Sequence, residues 1–233
     1  MLRAMAFLCL LACRGELEAG VEASRTDPAG AISRWEAVRA SGAASSALLY
    51  NLGCLYQRQG DLPGAIAAWR EAWEIDPRDA DIAHNLALAR GELKGAPDPV
   101  GPAAAWMEIV TPSELGFLGA MLLALGSGAA LLRKPASRRD PAYAVSLASI
   151  VVGGWLSVAA AHGFAEAERH PVAVLRRVGS LRTDALTDAE IAFSLPAGTE
   201  VSVRVERSGL LGVEAGDGRQ GWVAREALIL VSP

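Results

Sequence analysis

Seven side chains in the first half of the chain are of types that make contacts rather than fill a core. They are Tyr50, Asn51, Cys54, Gln57 and Arg58, followed by His84 and Asn85. Spacings of three and four residues place each group on one helix face. Their chemistry is hydrogen bonding, suited to the backbone of an extended peptide, with the two asparagines offering equivalent amide groups. A solvated helix face fits the same residues equally well. Catalysis has little to rest on. The chain has three histidines, and none stands with a serine, cysteine or carboxylate at nucleophile–base spacing. His84 has no second ligand at metal spacing, and no phosphate loop or dinucleotide fingerprint is present. The expectation is a protein that is not an enzyme and uses no cofactor.

The element that must position these side chains is a repeat. At an offset of 34 residues, Asp27, Gly30, Ala31, Ile32 and Trp35 recur as Asp61, Gly64, Ala65, Ile66 and Trp69, and Asn51-Leu52 recurs as Asn85-Leu86. This is the period of tetratricopeptide repeats, and residues 46–79 resemble a full unit. Leu49, Leu52, Gly53 and Tyr56 belong to its first helix, Ala65, Trp69 and Ala72 to its second, and Pro77 closes it. Small residues at Gly53 and Ala65 let the paired helices cross closely, while Leu52, Tyr56 and Trp69 fill the space between them. The predicted repeat domain spans 14–98, with a weaker half-unit on either side. The seven contact residues then line the concave groove.

Two apolar runs follow, Leu115–Leu132 and Tyr143–Ala161, of 18 and 19 residues, with no Asp, Glu, Lys, Arg or His inside them. At 1.5 Å per residue each reaches about 27–29 Å, near the hydrocarbon thickness of a bilayer. The expectation is a transmembrane hairpin: a linker at 99–111, spans at 112–132 and 143–162, a loop at 133–142 and a second linker at 163–169. Thr111-Pro112-Ser113-Glu114 has the form of a helix start with a capping box. Trp106 sits at a membrane-interface position. Small residues recur every fourth position, as Gly116, Ala120, Ala124 and Gly128 in the first span and Ser149, Gly153, Ser157 and Ala161 in the second. Such ladders let helices approach in lipid and predict the packing faces. Arg133, Lys134, Arg138 and Arg139 in the loop, against acids at the outer ends of the spans, predict a cytoplasmic loop.

Both flanks then lie outside the cytoplasm, in agreement with the N-terminus. Residues 1–13, MLRAMAFLCLLAC, read as a short export segment. Leu10-Leu11-Ala12-Cys13 resembles a lipobox and makes Cys13 a candidate for lipidation, with ordinary cleavage and an uncleaved helix as the alternatives. Removal of this segment leaves Cys54 alone, so no internal disulfide is required. The net charge of -4 argues against nucleic acid as a partner.

From about 170 to 233 the apolar period changes to two. Val172–Leu175, Glu200–Val205, Leu211–Ala215 and Leu228–Val231 read as strands, separated by turns at Pro196-Ala-Gly198, Ser208-Gly209 and Gly216-Asp-Gly218. Four or five strands in so short a stretch imply a small β-barrel. Gly198, and Gly221-Trp222-Val223 after it, resemble the bacterial SH3-like (SH3b) domain. In that resemblance Trp222 is a core anchor and Arg182-Thr183-Asp184 fall in a long loop.

The fold class is therefore multi-domain: an α-helical repeat, a two-span transmembrane hairpin and a small SH3-like β-barrel. In this order the parts resemble the BatE-type, repeat-containing proteins of the Bat (aerotolerance) family. The resemblance rests on Tyr50-Asn51-Leu52-Gly53, Thr111-Pro112-Ser113-Glu114 and Gly221-Trp222-Val223. It implies a non-catalytic envelope component, held in the membrane with other Bat membrane proteins and linked to stress tolerance. A different class of function, binding of peptidoglycan through the SH3b domain, is the alternative.

Overall fold

The computed structural model describes residues 26–99, 111–132, 141–169, 171–185 and 190–231. The export segment with Cys13, Trp106 in the linker and the basic loop residues Arg133, Lys134, Arg138 and Arg139 lie outside them. The chain divides into two compact units. One joins Met1–Gly101 with Pro171–Pro233, and the other is Pro102–His170. The repeat and the C-terminal strands, far apart in sequence, thus share one unit.

The helices of that unit are α1 (Pro28–Ala40), α2 (Ser46–Arg58), α3 (Leu62–Ile75) and α4 (Ala80–Gly91). Each begins at a side chain that accepts the first orphan amides. Asp27 accepts from Gly30 N at 2.9 Å, Ser45 from Leu48 N at 3.3 Å, Asp61 from Gly64 N at 3.0 Å and Asp79 from Ile82 N at 3.2 Å. This gives the repeated Asp-x-x-Gly its physical reason. A Cβ on Gly64 would stand 2.6 Å from Asp61 Oδ2, and one on Gly30 would collide with Asp27 Oδ2. Gly60, at φ +78°, makes the turn between α2 and α3, in a conformation that a side chain rarely adopts. Leu49, Leu52, Ala65, Trp69 and Ala72 are fully buried, and Gly53 and Pro77 are buried with them. Tyr56 is half-buried and its hydroxyl donates to Glu36 at 2.7 Å.

The C-terminal part is a curled antiparallel sheet of β1 (Val172–Leu175), β2 (Gly179–Arg182), β3 (Ile191–Leu195), β4 (Glu200–Arg207), β5 (Leu210–Ala215), β6 (Gln220–Ala224) and β7 (Leu228–Leu230). Its order is β3-β2-β6-β5-β4-β1-β7. Leu175, Leu181, Leu195, Val201, Val213 and Val223 belong to its core. β2 and β3 replace part of the expected long loop: Arg182 ends β2, opposite both Ile191 and Trp222, and only Thr183 and Asp184 lie in the turn. The sheet packs on α3 through β1 and β7. Every residue of α3 from Gly64 to Trp73 is buried, including Arg70 and Glu71.

The second unit contains α5 (Pro112–Leu132) and α6 (Pro141–Arg169), packed against each other. The capping box holds: Thr111 N donates to Glu114 Oε2 at 2.9 Å and Glu114 N to Thr111 Oγ1 at 3.3 Å. α6 contains an 18-residue window, Ala144–Ala161, long and apolar enough to cross a membrane, and α5 carries a shorter apolar stretch, Ser113–Gly128.

The packing face keeps Ser149, Gly153 and Ser157 of the second ladder and departs from the first after Gly116. A Cβ on Gly119 would stand 2.8 Å from Gly153 O. One on Gly126 would stand 2.9 Å from Ser146 O, and one on Gly116 3.6 Å from Ala160 Cβ. The face therefore runs Gly116, Gly119, Gly126 against Ser146, Ser149, Gly153, Ser157 and Ala160. Ala120, Ala124 and Ala161 are exposed, and a Cβ on Gly128 meets nothing within 4 Å. A step of four residues overturns the helix by about 40° each time, so a ladder of fours drifts off the contact within three steps. Alternating steps of three and four stay on it.

Candidate functional site

The groove is built on two helices that lean on the same neighbour. α2 and α4 both pack against α3, and Asn85 Nδ2 on α4 donates to the Tyr50 hydroxyl on α2 at 3.2 Å. Trp69 of α3 lies beneath them. Its indole N–H donates to Tyr50 O at 3.2 Å, and a Cβ on Gly53 would stand 2.5 Å from that nitrogen. The glycine therefore lets the indole lie directly on the α2 backbone.

Over this floor the predicted side chains divide into two sets. Gln57, Arg58 and His84 are exposed, while Tyr50, Asn51, Cys54 and Asn85 are half-buried. The asparagine amides are not both turned outward. Asn51 Nδ2 donates to Ala47 O of its own helix at 2.7 Å, and Asn85 Nδ2 is occupied by Tyr50. Both amide nitrogens are thus used within the repeat. Burial pushes the Cys54 thiol up, against hydrogen bonds to Tyr50 and Trp69 that pull it down. Burial also raises the Tyr50 hydroxyl. Both groups are neutral, and charge reaches this face from Arg58, which acts on Cys54, and from Asp81, which acts on Tyr50. Sequence reasoning passed over Leu88, which is 54% exposed on α4. It is the repeat-equivalent of Cys54, one period on, and that arithmetic would have found it.

The opposite side of the repeat carries charge that the sequence did not reveal. Arg39 pairs with Glu71 at 2.7 Å and with Glu36 at 3.2 Å, and reaches Leu230 O of β7 at 3.4 Å. Arg70 pairs with Glu74 at 3.1 Å and with Glu200 of β4 at 3.0 Å, and Arg90 pairs with the same Glu200 at 2.7 Å. Arg70 also lies over the Trp73 ring, 5.3 Å from its centroid. Burial raises the pKa of both Glu71 and Glu74, outweighing Arg39 and Arg70 respectively. Burial disfavours the Arg39 charge, but Glu71 and Glu36 together hold its pKa above the usual value. A cleft of about 250 Å³ lies beside this cluster, bounded by Arg90, Leu93, Asp98, Thr199 and Glu200. α3 has an apolar run from Leu62 to Trp69, but Arg70, Glu71 and Glu74 share one side of it and read as a solvated face, so the sequence carries no signal for this contact.

Trp222 is not a core anchor. Gly221 and Val223 point into the core, where a Cβ on Gly221 would stand 2.7 Å from Leu181 Cβ, and Trp222 points the other way. Its ring lies half-exposed over Gly212, where the exposed Val205 also lies. Gly198 has φ +89°, and a Cβ there would stand 3.0 Å from Leu93 and 3.1 Å from Ile66.

Among the described residues, no group of three or more His, Cys, Asp and Glu is arranged to hold a metal ion. The comparison with curated proteins finds no match to the chain. Residues 53–94, which hold the end of α2, all of α3 and all of α4, match the family described as TPR repeat.

Proposed function

We propose that the chain is a non-catalytic, membrane-anchored scaffold of the bacterial cell envelope whose repeat groove holds a protein partner. The observation that carries this reading is the TPR repeat with an open first-helix face, where Gln57, Arg58, His84 and Leu88 are exposed beside the Tyr50–Asn85 bridge.

Anchoring is supported by a parity argument. The two flanks of the hairpin pack into one unit, so they share one side of any membrane and the chain between them crosses it an even number of times. If α6 crosses, α5 crosses too. The 21 residues of α5 rise about 31 Å, enough for the hydrocarbon layer. With Arg133, Lys134, Arg138 and Arg139 held in the cytoplasm, the repeat and the sheet lie on the extracytoplasmic face of the inner membrane. We read the sheet as an SH3b barrel on the Gly198 turn and the Gly221-Trp222-Val223 strand, and the partner, by the family resemblance, as another Bat-type membrane protein acting in stress tolerance. A second reading, peptidoglycan binding by the sheet, is favoured by the outward-facing Trp222, since aromatic faces stack on sugar rings.

The test compares variants of the full chain purified in detergent. Tyr50→Ala with Leu88→Ala is expected to lose a co-purifying Bat-type membrane protein identified by mass spectrometry, while Trp222→Ala keeps it. Partner recovery at wild-type level from the groove variant overturns the docking role. Loss of retention on purified peptidoglycan by Trp222→Ala alone moves the activity to the sheet.

A further inference from the structure

The geometry points to Glu200 as a positioning residue for the groove, and to the curled sheet as the cap that closes the helical repeat. A repeat array ends on a helix with no following neighbour, and that last helix needs a cap to hold it in place. Here the last helix of the repeat is α4. After Gly91 the chain makes a short turn and runs through Pro97 and Pro99 along the cleft bounded by Gly198, Thr199 and Glu200. The sheet packs on α3 through β1 and β7 and reaches α4 through Glu200.

Two contacts make the cap. The β3–β4 turn presses Gly198 onto Ile66 of α3 and onto Leu93 just beyond α4, with no room for a side chain. Next to it, one buried carboxylate joins both helices: Glu200 Oε2 accepts from Arg70 of α3 at 3.0 Å, and Oε1 from Arg90 of α4 at 2.7 Å. Glu200 is 4% exposed and Arg70 5%, so loss of the carboxylate takes away one of the acids paired with a buried cation and unties Arg90 of α4 from the sheet. α4 carries the groove residues His84, Asn85 and Leu88 along the same 12-residue helix, and Asn85 holds Tyr50, which adjoins Cys54. The line of dependence runs from Glu200 through Arg90 and α4 to Asn85, Tyr50 and the groove floor.

The functional meaning of this inference rests on the docking reading, but its test needs no partner. Cys54 is the one cysteine beyond residue 13 and reports from inside the groove. In the full chain in detergent, Glu200→Ala is expected to speed alkylation of Cys54, read on its own peptide by mass spectrometry, about tenfold, with faster amide exchange over 80–91. Arg90→Ala, at a less buried partner, gives the same local loosening and serves where Glu200→Ala fails to fold. Glu206→Ala, which removes an exposed ion pair to Arg225 on the same strand, leaves both readouts unchanged. Wild-type alkylation and exchange in folded Arg90→Ala or Glu200→Ala overturn the inference. Loosening equal to theirs in Glu206→Ala overturns it too, because the effect would then not be specific to the clip. If the groove variants above keep their partner while Glu200→Ala still loosens α4, the docking reading fails and the cap stands.

Discussion

A methyl group on Gly53 is the smallest change that bears on the whole repeat. In an exposed helix, glycine to alanine stabilises by about 1 kcal/mol. Here the new carbon would stand 2.5 Å from Trp69 Nε1, and the indole is tied to Tyr50 O, so it cannot slide away without losing that bond. Overpacking of this kind costs about 1–3 kcal/mol and outweighs the helix gain. Gly53→Ala is expected to lower the thermal midpoint by several degrees and to weaken the Tyr50–Asn85 bridge; a midpoint equal to or above wild type would mean that the indole has room to move. The repeat made this glycine legible, because Trp69 recurs in register with Trp35 and Gly53 stands at the helix-crossing position of the unit that Trp69 closes. Leu88 was not, because sorting groove candidates by polarity hides an apolar contact residue. Glu200 was out of reach for a different reason. An acid at the start of a strand reads as solvated, and its partner Arg70 lies 130 residues away in the chain.

At the scale of elements, periodicity located the helices and misjudged one of their faces. The ladder of fours in α5 drifted from Gly116, which touches α6, to Ala120 and Ala124, which are exposed. The corrected face is testable. Gly116 and Ala160 would bring Cβ atoms 3.6 Å apart, within the range of a disulfide, about 3.5–4.5 Å. Gly116→Cys with Ala160→Cys, with Cys54 changed to Ser, is expected to form an intramolecular disulfide under mild oxidation, read by a shift in gel mobility. Ala120→Cys with Ala161→Cys is expected to remain reduced, and the opposite outcome would restore the ladder of fours. Two strands were missed because alternation needs length. β2 offers Leu181 alone among its four residues as a buried apolar side chain, and β3 is an edge strand with Ile191 and Ala192 exposed. Tertiary pairing with β6 and with each other makes them strands, and local pattern does not.

For the whole molecule, hydropathy located the hairpin but could not say that its two flanks meet. That pairing rests on Arg39, Arg70, Glu71 and Glu200, whose burial becomes visible only when both parts are in place. Its consequence for topology is open to measurement. Cysteines introduced at exposed Gln59 and Ser180, in the Cys54→Ser background, are expected to react with an impermeant thiol reagent from the same side of the membrane. One at Ser137 in the basic loop is expected to react only from the other side. Reaction of Gln59→Cys and Ser180→Cys on opposite sides would break the single-unit architecture, and reaction of Ser137→Cys with them would mean that the hairpin does not cross.

The shared carboxylate also sets a timetable for synthesis. Arg70 and Arg90 leave the ribosome 130 and 110 residues before Glu200, with both helices of the hairpin in between. At roughly 5–20 residues per second the face of α3 that bears Arg70, Glu71 and Trp73 waits about 6–26 s for its cover. Throughout that interval the two helices of the hairpin and the seven strands have still to be made. The nascent repeat is thus a half-finished surface of charge and indole until the last strands seal it.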